Sequence, residues 1–241
     1  MVTTAVQPEP ITEQRHPPVE LAEAFGRLFS LQGTSTSEIY FIRHAEPDYE
    51  AARLNDDPWD PPLSAAGREQ AMRVATRLQR GGLDAVYSST MLRALETAAF
   101  VASLQGLPVR RVDGLREVSF DPEVLLREQT HVRSTAEEIS SRFLSQPRWD
   151  ALPGFEPSKQ FRHRVVQAVE AIIAQHPGQR VAIVAHGGVI NAYLSMVLDI
   201  PRDMFFLPAH SSLSTLRVRE DLYALTHLND VSHLSPALRT Y

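Results

Sequence analysis

The chain has 241 residues, of which 43% are hydrophobic and 22% charged, with a formal net charge of −5 and no cysteine. That length suits one α/β domain with a well-buried core, and a second full domain would be a tight fit. The acidic balance disfavours nucleic acid or an anionic membrane as main partner, since the bulk field repels phosphate, and zero cysteines remove disulfides, thiolate metal sites and thiol nucleophiles.

Residues 1–18 are rich in Pro, Thr, Gln and Glu and read as a disordered tail, so a single domain is expected over 19–241. Val19, Leu21, Ala22, Phe25, Leu28 and Phe29 follow a helical spacing, and 32–37 read as a linker. Ile39-Tyr40-Phe41-Ile42 is a buried strand that ends at Arg43-His44. A loop rich in Pro, Asp and Asn covers 47–62. Ser64 is an N-cap for a helix through Arg80, stopped by Gly81-Gly82. Leu83–Tyr87 is the next strand, Met91–Leu104 a helix closed by Gly106 and Pro108, and Val109–Val112 a weak strand. Residues 122–144 combine helical spacing with many charges and suggest an exposed helical insertion. A helix over Gln160–Gln175 shows Phe161, Val165, Val169 and Ile172 on one face. Val181–Ala185 is the clearest strand and runs into His186-Gly187-Gly188, followed by a helix over Val189–Leu198. Leu213–Val218 and Leu222–His227 read as paired strands turning at Glu220-Asp221. The tail after Asn229 has no readable role. No basic-flanked apolar leader and no apolar run of bilayer length is present, so the expected location is the cytoplasm, with no membrane partner.

Strand and helix alternate through most of the chain. This predicts an α/β fold, a three-layer α/β/α sandwich around a mostly parallel central sheet, with a helical insertion. His44 and His186 each stand at the carboxyl end of an apolar strand, where ligands bind in open α/β sheets. The strand Leu83–Tyr87 leads through Ser88-Ser89-Thr90 into a helix with Arg93 in its first turn. That helix start offers backbone N–H groups, the positive end of a dipole and a guanidinium fork. With Arg43, two arginines and a helix N-terminus converge on two histidines, a set suited to a tetrahedral dianion.

These segments resemble the histidine phosphatase superfamily, in its phosphoglycerate mutase-like branch. The resemblance rests on Arg43-His44-Ala45-Glu46, on Pro62-Leu63-Ser64-Ala65-Ala66-Gly67-Arg68-Glu69-Gln70-Ala71, and on Ser88-Ser89-Thr90-Met91-Leu92-Arg93-Ala94-Leu95-Glu96-Thr97-Ala98. Leu115-Arg116-Glu117 and Ala185-His186-Gly187-Gly188-Val189 complete it, in order, over roughly residues 38 to 220. It implies a metal-independent phosphomonoesterase without cofactor that acts on a small phosphorylated substrate through a phosphohistidine. In that scheme His44 is the nucleophile, Arg43, Arg93 and His186 hold the phosphoryl oxygens, and Glu117 is the general acid. The sequence departs from the family at Ala45, at Pro47, where many members place Ser or Thr, and after Glu117, where Val118-Ser119-Phe120-Asp121 lacks the usual glycine.

Each residue also has a plainer reading. A histidine at a strand end is often structural, Arg43 and Arg93 could serve in salt bridges, and Glu117 could be a surface carboxylate. Glu46 and Glu96 read as structural partners of nearby arginines. His210 is a candidate for the pocket lining, while His16, His131, His163, His176, His227 and His233 read as surface or packing residues. Trp59 and Trp149, in or beside Pro-rich loops, either cap the pocket or pin the loops. Two other functions stay open. One is a phosphoglycerate mutase, disfavoured because no set of residues to grip a carboxylate is evident. The other is a non-catalytic phosphate-recognition module. The substrate is not legible, nor is the oligomeric state, and a homodimer is compatible with the sequence.

Overall fold

In a computed structural model, the structure describes residues 35–53, 59–124 and 145–241, with isolated positions within 21–31 and 141–143. The expected tail over 1–18 lies outside the described residues, as do most of the expected helix over 19–31 and most of the insertion over 122–144. The elements in chain order are β1 (Ser37–Arg43), α1 (Tyr49–Ala52), α2 (Ala65–Gln79), β2 (Ala85–Ser88), α3 (Leu92–Gln105), β3 (Val109–Arg111), α4 (Ser158–Ala174), β4 (Arg180–Ala185), α5 (Gly187–Val197), β5 (Leu213–Arg219) and β6 (Leu222–Asp230). They form a six-stranded sheet in the order β3-β2-β4-β1-β5-β6. The pairs β3–β2, β2–β4 and β4–β1 are parallel, and the pairs β1–β5 and β5–β6 are antiparallel.

Alternate side chains of the central strands enter two separate cores. Ile39, Phe41, Val181 and Ile183 face α4 and α5, meeting Phe161, Val165, Val189 and Tyr193. Tyr40, Ile42, Ala182 and Val184 face α2 and α3, meeting Val74, Leu78, Ala94 and Val101. A strand covered on both faces has no position for a polar side chain, which is why β4 reads as an unbroken apolar run. The expected three-layer α/β/α sandwich around a mostly parallel sheet is the observed architecture. Among the described residues no helix is long and apolar enough to cross a membrane.

Capping follows the sequence signals closely. Ser64 Oγ accepts the Gly67 N–H at the start of α2, and Gly106 ends α3 in the left-handed conformation, which costs glycine little. The loop over 47–62 contains the short helix α1, which the composition of that loop concealed. Glu220 takes a positive φ of 55° at the expected turn between β5 and β6.

Gly67 explains the Ser-Ala-Ala-Gly segment in steric terms. A Cβ there would lie 2.1 Å from the carbonyl oxygen of Glu46, two residues beyond His44. The first turn of α2 therefore packs against the backbone that carries the histidine. Gly67→Ala is expected to destabilise the fold by about 1–3 kcal/mol, the usual cost of forcing atoms into a packed site. A denaturation midpoint equal to the wild type's in urea would show that this backbone gives way freely.

Candidate active site

The register of the parallel pair brings the two histidines together. Arg43 of β1 lies opposite Ala185 of β4, so His44 and His186 are each the next residue beyond the sheet, and His44 N–H donates to Ala185 O at 2.9 Å. Their ring centroids are 5.1 Å apart. On one side, β2 ends beside β4, and Ser89 N–H donates to Val184 O at 3.0 Å. On the other, antiparallel β5 begins where β1 ends, which sets His210 against His44 with centroids 5.5 Å apart. Strand ends far apart in sequence thus meet at one edge, in the crevice where such sheets place ligands.

The hydrogen bonds assign the ring tautomers. His44 Nδ1 lies 2.8 Å from Ala45 O. A carbonyl only accepts, so the ring proton sits on Nδ1 and the Nε2 lone pair faces the site. That lone pair accepts the Arg93 Nε–H at 3.2 Å. His186 Nε2 lies 2.8 Å from Ser89 Oγ, and Ser89 Oγ also accepts the Met91 N–H at 3.3 Å. The Ser89 hydroxyl proton can therefore go to Nε2, which leaves the ring proton on His186 Nδ1. Among the described residues that buried Nδ1 and the buried Nε of Arg43 have no hydrogen-bond partner. Two unsatisfied buried donors beside a ring that offers a lone pair are costly unless a ligand meets them, and an anion with several oxygens does so.

Burial is also what keeps the rings neutral. His44 is held well below the usual histidine range by burial first, then by Arg93, His186 and Arg43. Burial, then Arg93 and Arg43, does the same to His186. His210 is pushed down to about 3 by burial, with Arg43 and Arg93 adding to it, and His233 to about 4, mainly by burial. The two arginines are lowered by their own burial but remain cations, and in both the nearby Glu117 carboxylate works in the opposite direction.

A stability profile follows from these directions. An unfolded histidine takes its proton near pH ~6.5, whereas these four rings stay uncharged in the fold until much lower pH. Below pH ~6.5 the unfolded chain therefore binds more protons than the folded one. Their contribution is complete above that value and is lost as pH falls toward about 3 for His210 and about 4 for His233. The slope is up to about 1.4 kcal/mol per pH unit for each fully buried ring. Calorimetric Tm is expected to fall steadily from pH 7 to pH 5, and a flat profile there would contradict neutral burial.

Glu117 also reaches the site, held in a way its flanking sequence does not suggest. Its Oε2 accepts the Gly188 N–H of α5 at 3.0 Å, and its Oε1 accepts the Val118 N–H at 3.0 Å. A Cβ on Gly188 would fall 2.3 Å from Glu117 Oε1. The glycine pair after His186 leaves the backbone open to close approach. At Gly188 it admits this carboxylate. Arg164 then clamps the segment from behind. Its Nη1 donates to Gly114 O at 3.1 Å and to Arg116 O at 2.7 Å, while its Nη2 donates to Glu117 O at 3.0 Å. The Glu156 carboxylate orients that guanidinium at 2.7 Å. The charged, helical pattern around Arg164 gave no hint of this duty.

Other expectations need correction. At the start of α3 the first N–H is not open to an anion, because Asp60 Oδ1 from the 47–62 loop accepts the Leu92 N–H at 2.7 Å. Among the described residues, Glu46 and Glu96 pair with no arginine. Glu46 Oε1 accepts the Ser64 hydroxyl at 2.7 Å, and Glu96 Oε2 accepts the Leu63 N–H at 2.7 Å. Both tie the loop to the sheet edge. Arg93 does have an acidic neighbour, Asp60 at 3.7 Å, in addition to His44. The segment after Asn229 acquires a role as well. Gln70 donates to Leu238 O at 2.7 Å and to Thr240 Oγ1 at 3.0 Å, and Thr240 Oγ1 lies 2.9 Å from His210 Nδ1. Trp59 lines a cavity of about 270 Å³ beside Arg93 and Glu117, whereas Trp149 stacks on Phe155 with centroids 6.1 Å apart.

Residues 39–231 match the histidine phosphatase superfamily (branch 1). A metal-independent phosphoserine phosphatase of Arabidopsis thaliana is 30% identical over 204 residues, covering 84% of this chain and 85% of its own. A probable phosphoglycerate mutase, GpmB, of Escherichia coli is 29% identical over 212 residues, covering 83% and 97%. The solved structure of YhfR from Bacillus stearothermophilus superposes with a TM-score of 0.68 at 28% identity, covering 82% of this chain and 98% of that one. With a match spanning most of its length, a sheet of the same architecture and two histidines at its carboxyl edge, the chain belongs to the histidine phosphatase superfamily.

Proposed function

We propose that this chain hydrolyses small phosphomonoesters without a metal, through a phosphohistidine formed at His44 Nε2. The observation that carries this reading is the pairing of a neutral His44 with donors that no group among the described residues satisfies. Nε2 presents its lone pair, and Arg43 Nε and His186 Nδ1 present N–H groups. When a phosphoryl group enters, its charged oxygens offer the Arg93 Nε–H a better acceptor than the imidazole, and the lone pair is freed.

Nε2 then bonds to phosphorus as the bond to the ester oxygen breaks, and Glu117 delivers a proton to that leaving oxygen. In the second half Glu117, now a carboxylate, takes a proton from water, whose oxygen bonds to phosphorus while the P–N bond breaks. Arg43, Arg93 and His186 hold the remaining oxygens, whose charge spreads in the loose transition state. The cost of bringing two cations into a buried pocket is offset by the dianion they bind.

The whole sheet lies within 37–230, which supports reading 19–241 as one domain preceded by a tail over 1–18. A cytoplasmic location, and a substrate other than nucleic acid or membrane, rest on composition, with no cysteine and a formal net charge of −5. The deciding experiment is hydrolysis of p-nitrophenyl phosphate by the full chain in excess chelator, followed by rapid quench into alkali. The expected result is undiminished turnover and a phosphoryl label on protein that alkali preserves and acid releases. Strict dependence on added metal would overturn the reading.

A further inference from the structure

We propose that the leaving-group side of this site selects phosphate esters of bulky apolar alcohols that carry a ring. This deepens the phosphatase reading and rests on it. The cavity of about 270 Å³ that opens beside Arg93 and Glu117 is walled by Trp59, Met91, Val118, Phe120 and Pro122, with Arg116 at one side. That is space for one ring-sized group next to the phosphoryl site.

The aromatic wall is built in advance. Trp59 meets Phe120 edge-on with centroids 4.7 Å apart, and Phe120 stacks on Phe155 at 5.5 Å. Phe120 and Phe155 are also bridged through their backbones, with Asp121 N–H donating to Gly154 O at 2.9 Å and Glu156 N–H to Ser119 O at 2.8 Å. A ring that enters finds fixed faces and edges, so little ordering entropy opposes its burial.

Several polar groups on the same wall already bond within the protein. Ser119 gives both its N–H and its hydroxyl to Glu156 Oε2, at 3.2 and 3.4 Å. Both oxygens of Glu117 accept backbone N–H groups. Arg116 donates to Thr90 Oγ1 at 3.2 Å and lies 4.0 Å from Asp113. A ring seated on Trp59 and Phe120 breaks none of these bonds.

The test measures phosphate release by the full chain, in chelator, from 2-phenylethyl phosphate, n-propyl phosphate, phosphoserine and 3-phosphoglycerate. The first two are alkyl esters with leaving groups of similar basicity, so their ratio reads binding and not chemistry. kcat/KM for 2-phenylethyl phosphate is expected to exceed each of the others by about tenfold or more, on the scale of apolar group burial. Phe120→Ala is expected to bring the ratio of the two alkyl esters to within about threefold. Trp59→Ala supplies the same readout should the first variant fail to fold. Equal rates for the two alkyl esters, a preference for either acid, or a ratio that survives the substitution would overturn the proposal. Hydrolysis of none of the four would instead remove the phosphatase reading beneath it.

Discussion

Replacing His44 by alanine is expected to lower turnover of any phosphomonoester by at least about 10³-fold, because a nucleophile has no partial substitute. Charge neutralisation by Arg43, Arg93 and His186 would remain, so weak binding of inorganic phosphate should survive while the alkali-stable label disappears. The variant also separates catalysis from folding. The ring is buried, with 4% of its surface exposed, but the backbone around it is fixed independently. His44 N–H donates to Ala185 O, Ser211 N–H donates to His44 O at 3.2 Å, and Ala45 N–H donates to Thr97 Oγ1 at 3.0 Å. A cooperative thermal transition together with lost turnover is the expected pair of results. Label retained on the alanine variant would move the nucleophile elsewhere.

Glu117→Gln is expected to reduce kcat by about 10²–10³-fold, the usual worth of a positioned proton donor. The loss should grade with the leaving group. An aryl ester leaves as a weakly basic phenoxide and needs little protonation, so its rate should fall least, while alkyl esters should fall most. The geometry adds a second consequence. Both carboxylate oxygens accept backbone N–H groups, from Gly188 and Val118, and glutamine has one oxygen for two donors. One N–H must then face an amide nitrogen, at a cost of about 1–3 kcal/mol. A lower Tm is therefore expected alongside the kinetic defect. Equal losses for aryl and alkyl esters would show that Glu117 positions the site and does not supply the proton.

Much of this was legible in one dimension because it depends on local rules. Periodicity marks α2, α3 and α4, a continuous apolar run marks the doubly covered β4, and Ser64 and Gly106 punctuate helix ends through chemistry contained within a few residues. His44 and His186 were visible because a polar residue directly after a buried strand must lie at the rim of the sheet. The short helix α1 was hidden, because the Pro- and Asp-rich composition around it reads as loop. The contact that anchors Glu117 was not foreseen either, since the carboxylate and the Gly188 N–H that meets it lie far apart in sequence.

The amino-acid order on its own determined the layered fold, the strand-end histidines and the arginines beside them, since each follows from side-chain size, charge and spacing along the chain. Only the tertiary structure decided which groups meet. Register between β1 and β4 sets the two rings side by side, and the antiparallel entry of β5 adds His210. Arg164 and Gly188 fix Glu117, and the segment over 235–240, without any pattern of its own, closes onto Gln70 and His210. Those contacts arise from the packing of distant surfaces, which no spacing along the chain encodes.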